Sequence, residues 1–205
     1  MTNSVQTQEL ISAVEQADSP LRLVAAVRNL ATAQVEAGIP TLINVLGYNN
    51  PTAAITAVQG LIQLGKSAVQ PLMEQLDEYD YGARAYAIRV LAALADPRAL
   101  DILLTAAATD FAPSVRRAAA KGLGTLDWSQ LSAEQRFAAQ TKTLQTLLAI
   151  LQDPDWSIRY AAVVGLQALS TSDLQDQIQA QFEQMTQADP DIAVRARISL
   201  AQQTS

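Results

Sequence analysis

Two short runs concentrate the side chains able to do chemistry. The first is GYNNP from Gly47, which presents Tyr48, Asn49 and Asn50. The second is YDYGARAY from Tyr79, which presents Tyr79, Asp80, Tyr81, Arg84 and Tyr86. Four of the five tyrosines lie in these two runs. Aromatic rings, amides, one carboxylate and one guanidinium suit a large planar molecule that bears carboxylates. Rings stack, Arg84 pairs with a carboxylate and Asp80 meets ring N–H groups. The same residue types favour a protein–protein hot spot, or simple packing of exposed turns. All three readings stand at this point.

Other chemistry is scarce. The chain has no cysteine and no histidine, which removes thiol nucleophiles, imidazole acid–base catalysis, disulfides and the usual soft metal ligands. No phosphate-binding glycine loop and no calcium-loop spacing occurs, and no metal site is expected. Asp153 and Asp155 read as helix caps instead of an acid–base pair. The glycines of the Gly122-Leu123-Gly124 run read as a helix C-cap.

These runs belong to a repeat. An acidic or asparagine turn, often a proline, is followed by an alanine-rich helical stretch. Anchoring the six copies places Leu23, Ala54, Arg84, Arg116, Arg159 and Arg195 at equivalent positions, with intervals of 31, 30, 32, 43 and 36 residues. Each unit predicts two helices. First helices are expected over 5–17, 39–46, 67–76, 98–108, 131–151 and 173–187. Second helices are expected to begin after Asp18, Asn50, Tyr79, Ala112, Asp155 and Asp191. Leu42, Val45 and Leu46, like Val69, Leu72, Met73 and Leu76, have the spacing of a helix buried on one side. Nothing reads as strand. The expectation is an all-α, right-handed α-solenoid of about six HEAT-like two-helix repeats, in one domain over 1–205. Main repeats cover 5–126, an interruption covers 124–135, and terminal repeats cover 131–205. In such arrays successive turns lie side by side, so the two tyrosine runs meet on one rim.

Within the interruption, Asp127 or Ser129 is a candidate cap, and Ser132 with Gln135 fits a capping box. Asp18–Arg22, Asp80–Arg84, Asp155–Arg159 and Asp191–Arg195 share an i,i+4 spacing. Each arginine is expected to pair with its own aspartate or with the turn of the next repeat. Trp156, Tyr160 and Trp128 read first as fillers of the wider repeat spacing, and second as a docking platform. The glutamine-rich stretch 175–187 reads as the solvated side of a terminal repeat.

Composition narrows the partners. Twenty acidic residues outnumber 14 basic ones, for a net charge of −6, and no basic block exists. Nucleic acid is therefore not an expected partner. No stretch is apolar enough to span a bilayer, and no secretory leader is evident.

The chain also resembles a family. The segments SPLRLVAAVRNL from Ser19, IPTLINVLGYNNP from Ile39, VQPL from Val69, YDYGARAYAIR from Tyr79 and DFAPSVRRAAAKGLG from Asp110 are similar to those of heterodimeric bilin lyases of the HEAT-repeat type, on the beta-subunit side. The likeness is strongest over residues 10–126. It implies a beta subunit that works with a longer alpha lyase subunit. The pair attaches phycocyanobilin by a thioether to a cysteine of the phycocyanin alpha subunit, and is able to remove or transfer it. The pigment is then a transient substrate and no permanent cofactor is implied. A cytoplasmic, phycobilisome-associated setting in a cyanobacterium follows. The attacking thiol belongs to the acceptor protein, in keeping with a chain that has none. On this resemblance Tyr48, Asn49, Asn50, Tyr79, Tyr81, Arg84 and Tyr86 contact the pigment, and Asp80 supports protonation of its nitrogens. Related lyase-isomerases carry a His-Cys pair that this chain lacks, so isomerisation is not expected. The competing reading is a non-catalytic HEAT adaptor or chaperone for phycobiliproteins, including one that serves phycobilisome breakdown.

Overall fold

In the computed structural model, the described residues are 4–76, 81–171 and 173–203, residue 81 through its backbone alone. They form twelve α-helices in six pairs: α1 (Ser4–Glu15) with α2 (Pro20–Ala33), α3 (Ile39–Val45) with α4 (Pro51–Leu64), α5 (Val69–Glu74) with α6 (Tyr81–Leu94), α7 (Leu100–Thr109) with α8 (Pro113–Gly124), α9 (Ala133–Ile150) with α10 (Trp156–Leu169), and α11 (Gln175–Ala188) with α12 (Ile192–Gln203). The chain is thus all-α, of the HEAT-repeat solenoid class expected from its period.

Local chemistry sets the starts of the second helices. Proline opens α2, α4 and α8, where its fixed φ suits a helix and its missing N–H costs nothing. Ser19 caps α2 by accepting from the Arg22 amide, and the Asn50 side chain accepts from the Ala53 amide at 3.1 Å. Ser132 and Gln135 form the expected capping box on α9. Asp127 instead caps the short 3-10 turn Trp128–Gln130.

Two compact units meet between Leu94 and Ala95. In the first, α4 packs between α2 and α6. Its core is small and aliphatic: Val27, Leu30, Leu42, Ala57, Leu61, Leu72 and Leu91 are buried. Gly60 of α4 is tucked against α2, since a Cβ there would lie 2.6 Å from the Ala31 Cβ. Gln34 follows α2 with φ 49°, Gly65 follows α4 with φ 70° and Ala95 follows α6 with φ 54°. All three second helices of this unit therefore end on a left-handed residue, and only one of the three is glycine.

In the second unit α10 packs between α8 and α12. Gly124 and Gly165 mark a backbone-to-backbone contact between α8 and α10. A Cβ at Gly124 would lie 2.0 Å from the Gly165 carbonyl oxygen, and one at Gly165 would lie 2.3 Å from the Ala120 oxygen. This corrects the C-cap reading of the glycine run. The residue after α8, Thr125, has φ −100°, so no left-handed cap is present and Gly124 is required by close approach.

The arginines staple this unit. Arg116 of α8 meets Asp153, in the turn before α10, at 2.6 Å. Arg159 of α10 meets Asp189, in the turn before α12, through Nε at 2.8 Å and Nη2 at 2.9 Å. Each therefore reaches the next repeat. Asp155 does not pair with Arg159; it accepts from the Ser157 amide and hydroxyl at 2.8 and 2.7 Å and caps α10. Asp191 likewise caps α12, while Arg195 donates to the Asp189 carbonyl at 2.6 Å. Among the described residues Asp18–Arg22 makes the i,i+4 pair, and it is exposed; Asp80, the expected partner of Arg84, lies outside the described residues. Trp156 is 47% exposed, so it does not fill space left by the longer repeat.

Candidate functional site

Tyr79 and Asp80 lie outside the described residues, and Tyr81 is described only as the first residue of α6. The remaining members of the two tyrosine runs sit on α6 and on the turn between α3 and α4. Asn44, Leu46 and Gly47 end α3, Gln75 and Leu76 follow α5, and Ala83, Arg84 and Ala87 form one stripe of α6. Together with Ile43 and Leu72 these ten residues line a cavity of about 150 Å³. Of the GYNNP run, Gly47 lines this cavity together with Arg84. Tyr48, 41% exposed, and the exposed Asn49 are not among its lining residues.

Asn50 is committed elsewhere. Its side-chain oxygen caps α4, and its Nδ2 donates to the Pro20 carbonyl at 3.4 Å, tying this turn to that of the preceding repeat. Tyr86 does not join Arg84. Two residues apart on a helix means about 200° of rotation, and Tyr86 is absent from the cavity lining. It lies half-buried one turn before the exposed Arg89.

The chemistry available at the cavity is modest. One guanidinium and the amides of Asn44 and Gln75 provide donors among aliphatic walls. They suit a carboxylate at the mouth, with apolar atoms behind it. Among the described residues no group of acids, histidines or cysteines is arranged to hold a metal ion. A drug-sized ligand fills roughly 300–1,000 Å³, so a volume of about 150 Å³ holds the end of a large molecule and not the whole of it.

Similar notches recur where consecutive first helices end. One of about 510 Å³ involves Arg116, Gln145, Gln152 and Asp153, and one of about 280 Å³ involves Arg159, Gln181, Gln184 and Asp189. Asp189 is 5% exposed. Burial alone would raise its pKa, but hydrogen bonds from Arg159 and from the Asp191 amide, with the charges of Arg159 and Arg195, outweigh it and hold the carboxyl below its ordinary value. Asp155 is also held low, first by the Ser157 hydroxyl and then by the Ser157 amide. These carboxylates stay ionised and tie turns together, so neither is poised to transfer a proton.

The distribution of charge among the helices carries a pattern that no local motif shows. Among the described residues no acid lies in a second helix, and ten of the 14 basic residues of the chain do: two in α2, two in α6, three in α8, one in α10 and two in α12. Counting acids helix by helix along the predicted repeats would have exposed it.

Comparison with known proteins places these features in a family. The HEAT repeats family model matches residues 69–135 and the HEAT repeat model matches 144–172. A phycocyanobilin lyase subunit beta from Nostoc sp. (strain PCC 7120) is 60% identical over 96% of this chain and 98% of its own length. A phycobilisome maturation protein from Synechococcus elongatus is 49% identical over 95% of each. Among solved structures, a chain in the complex of CpcE and CpcF of phycocyanin lyase from Nostoc sp. PCC7120 superposes with a TM-score of 0.78 at 62% identity, covering 81% of this chain and 98% of that one. Designed armadillo repeat proteins share only the fold, at 16% identity and a TM-score of 0.63 for one bound to a (KR)4 peptide. A HEAT-repeat chain with no cysteine or histidine, with this identity along nearly its whole length, is a lyase subunit and belongs to the phycocyanobilin lyase subunit beta family.

Proposed function

We propose that this chain pairs with a bilin lyase alpha subunit, and that the heterodimer joins phycocyanobilin to a cysteine of the phycocyanin alpha subunit through a thioether. The acceptor sulfur bonds to the ethylidene carbon of the pigment and the thiol proton is taken up by the conjugated system. Atoms and electrons balance without an oxidant. Run backwards, the same step releases the pigment or passes it to another thiol. Catalysis on this reading is mostly positioning: one orientation of the pigment is held against one thiol, and other additions are suppressed.

The observation that carries the reading is the size of the Arg84 cavity. At about 150 Å³ it takes a propionate and the edge of a ring, leaving the rest of a tetrapyrrole for a second subunit to cover. The relative seen in complex with its CpcE or CpcF counterpart supports the same division of labour. Arg84 pairs with a propionate, Tyr48 and Asn49 border the pigment, and Asn50 sets the turn that carries them. Tyr79, Tyr81 and Tyr86 are proposed as further contacts, and Asp80 as the carboxylate that keeps the pyrrole nitrogens protonated and the ethylidene carbon electrophilic. A place beside phycobilisomes in a cyanobacterial cytoplasm completes the proposal.

The experiment is co-expression of this chain, an alpha subunit, the apo phycocyanin alpha subunit and a phycocyanobilin source. A covalent, red-absorbing product that forms only when this chain is present is expected. Equal product without it overturns the proposal.

A further inference from the structure

The carboxylate-free second helices make one continuous face in the first unit, and its chemistry is specific. The helices α2, α4 and α6 are each 14 residues long and pack in that order. Arg28, Gln59 and Arg89 occupy the ninth position of the three helices, and all three are exposed. One turn nearer the helix starts, Val24, Ile55 and Ala85 form a parallel apolar row, with Ile55 49% exposed. Tyr86 lies beside this row, one turn before Arg89. Among the described residues neither Arg28 nor Arg89 enters an ion pair, unlike Arg22, Arg98, Arg116 and Arg159. In a chain of net charge −6, a face with two such arginines and no acid in the helices that build it is an exception.

We propose that this face binds an elongated apolar molecule with two carboxylates, the apolar body lying along Val24, Ile55 and Ala85 and the carboxylates held by Arg28 and Arg89. Charge complementarity carries the argument: nothing in α2, α4 or α6 repels an anion, and an apolar strip adjoins the two cations. Helices in contact lie about 8–10 Å apart, so the Cα atoms of Arg28 and Arg89 are separated by roughly twice that distance across α4. A separation of that order suits two carboxylates on one flexible molecule and not a single anion. Resting on the bilin-lyase reading, the ligand is the free tetrapyrrole with its two propionates. The face is then where this subunit takes up the free pigment, a step separate from the later pairing of a propionate with Arg84 in the cavity on the other side of α6.

The test is an absorbance titration of the purified full-length chain with phycocyanobilin and, in parallel, with its dimethyl ester. Arg28→Gln and Arg89→Gln should each weaken binding of the diacid about threefold, and the double variant about tenfold. Lys66→Gln, which removes one positive charge outside the second helices, should leave it unchanged. The diester should bind weakly to the parent chain and be indifferent to the arginine variants. Equal affinity for diacid and diester, or a double variant that binds the diacid as the parent does, overturns the inference. Pigment attachment in the presence of the alpha subunit is scored separately. Unaltered titration by the double variant with normal attachment sinks this face and leaves the lyase reading intact. No attachment by the parent chain sinks the lyase reading itself.

Discussion

Arg159 and Asp189 stand 30 residues apart in sequence and meet through two hydrogen bonds of 2.8 and 2.9 Å, with both side chains buried. The same guanidinium donates to the carbonyls of Asp153 and Pro154. One side chain therefore ties α10 to its own turn and to the next. Removing a single partner of such a pair leaves a buried charge uncompensated, at a cost of about 3–5 kcal/mol. Asp189→Ala should lose that much in chemical denaturation. Replacing Arg159 and Asp189 together by Met and Leu should recover most of it.

Acid should weaken the second unit through its lowered carboxyls. Asp155 and Asp189 both have folded pKa values below the ordinary 3.8. A group depressed on folding contributes its full stability above its unfolded pKa and loses it as pH falls through the folded value. Stability should thus be level above about pH 5 and fall progressively below about pH 4. Asp155→Asn keeps a competent cap and removes the titration, so its denaturation midpoint should depend less on pH over that range than the parent's. An unchanged pH dependence would show that Asp155 contributes nothing to the acid limb.

The left-handed Gln34, at φ 49°, is exposed and ends α2. Glycine adopts this conformation without the roughly 1–2 kcal/mol steric penalty of an L side chain, offset by about 0.5–1 kcal/mol of extra chain entropy. Gln34→Gly should stabilise by about 0.5–1 kcal/mol, raising the thermal midpoint by about 1–4 °C.

Arg84→Gln tests the cavity. It should reduce pigment attachment several-fold while leaving the helical circular-dichroism spectrum intact, and Tyr48→Ala should have a smaller effect of the same sign. Loss of helix accompanying loss of activity would assign Arg84 to stapling, in line with Arg116 and Arg159.

Most of the fold is legible because the repeat writes its punctuation in residues with fixed local roles. Pro20, Pro51 and Pro113 mark helix starts, and Ser132 with Gln135 marks another. Partner choice was less legible. Asp155 lies four residues before Arg159, but it is consumed by capping, and the competing partner Asp189 becomes a neighbour only after the repeats stack. The role of Gly124 is hidden for a similar reason, since a glycine near a helix end looks alike whether it serves a turn or a neighbouring backbone. At the candidate site, Tyr86 and Arg84 share a sequence run but point apart, since two residues on a helix are about 200° of rotation. Gly47 and Arg84 share a cavity because α3 and α6 pack in one unit, a neighbourhood that the two-helix repeat makes legible.

The contact between Gly124 and Gly165 has a consequence for building with these repeats. Where side chains separate helices, a repeat can be exchanged for a consensus module and the neighbours adjust by rotamer changes. Here the spacing is set by main chain on main chain, with no side chain available to give way. Gly165→Ala should cost about 1–3 kcal/mol, read as a lowered denaturation midpoint. A chimera that places an alanine-rich module at either position should fail to seat on its neighbour, so grafting sites for a modified lyase subunit belong elsewhere in the array.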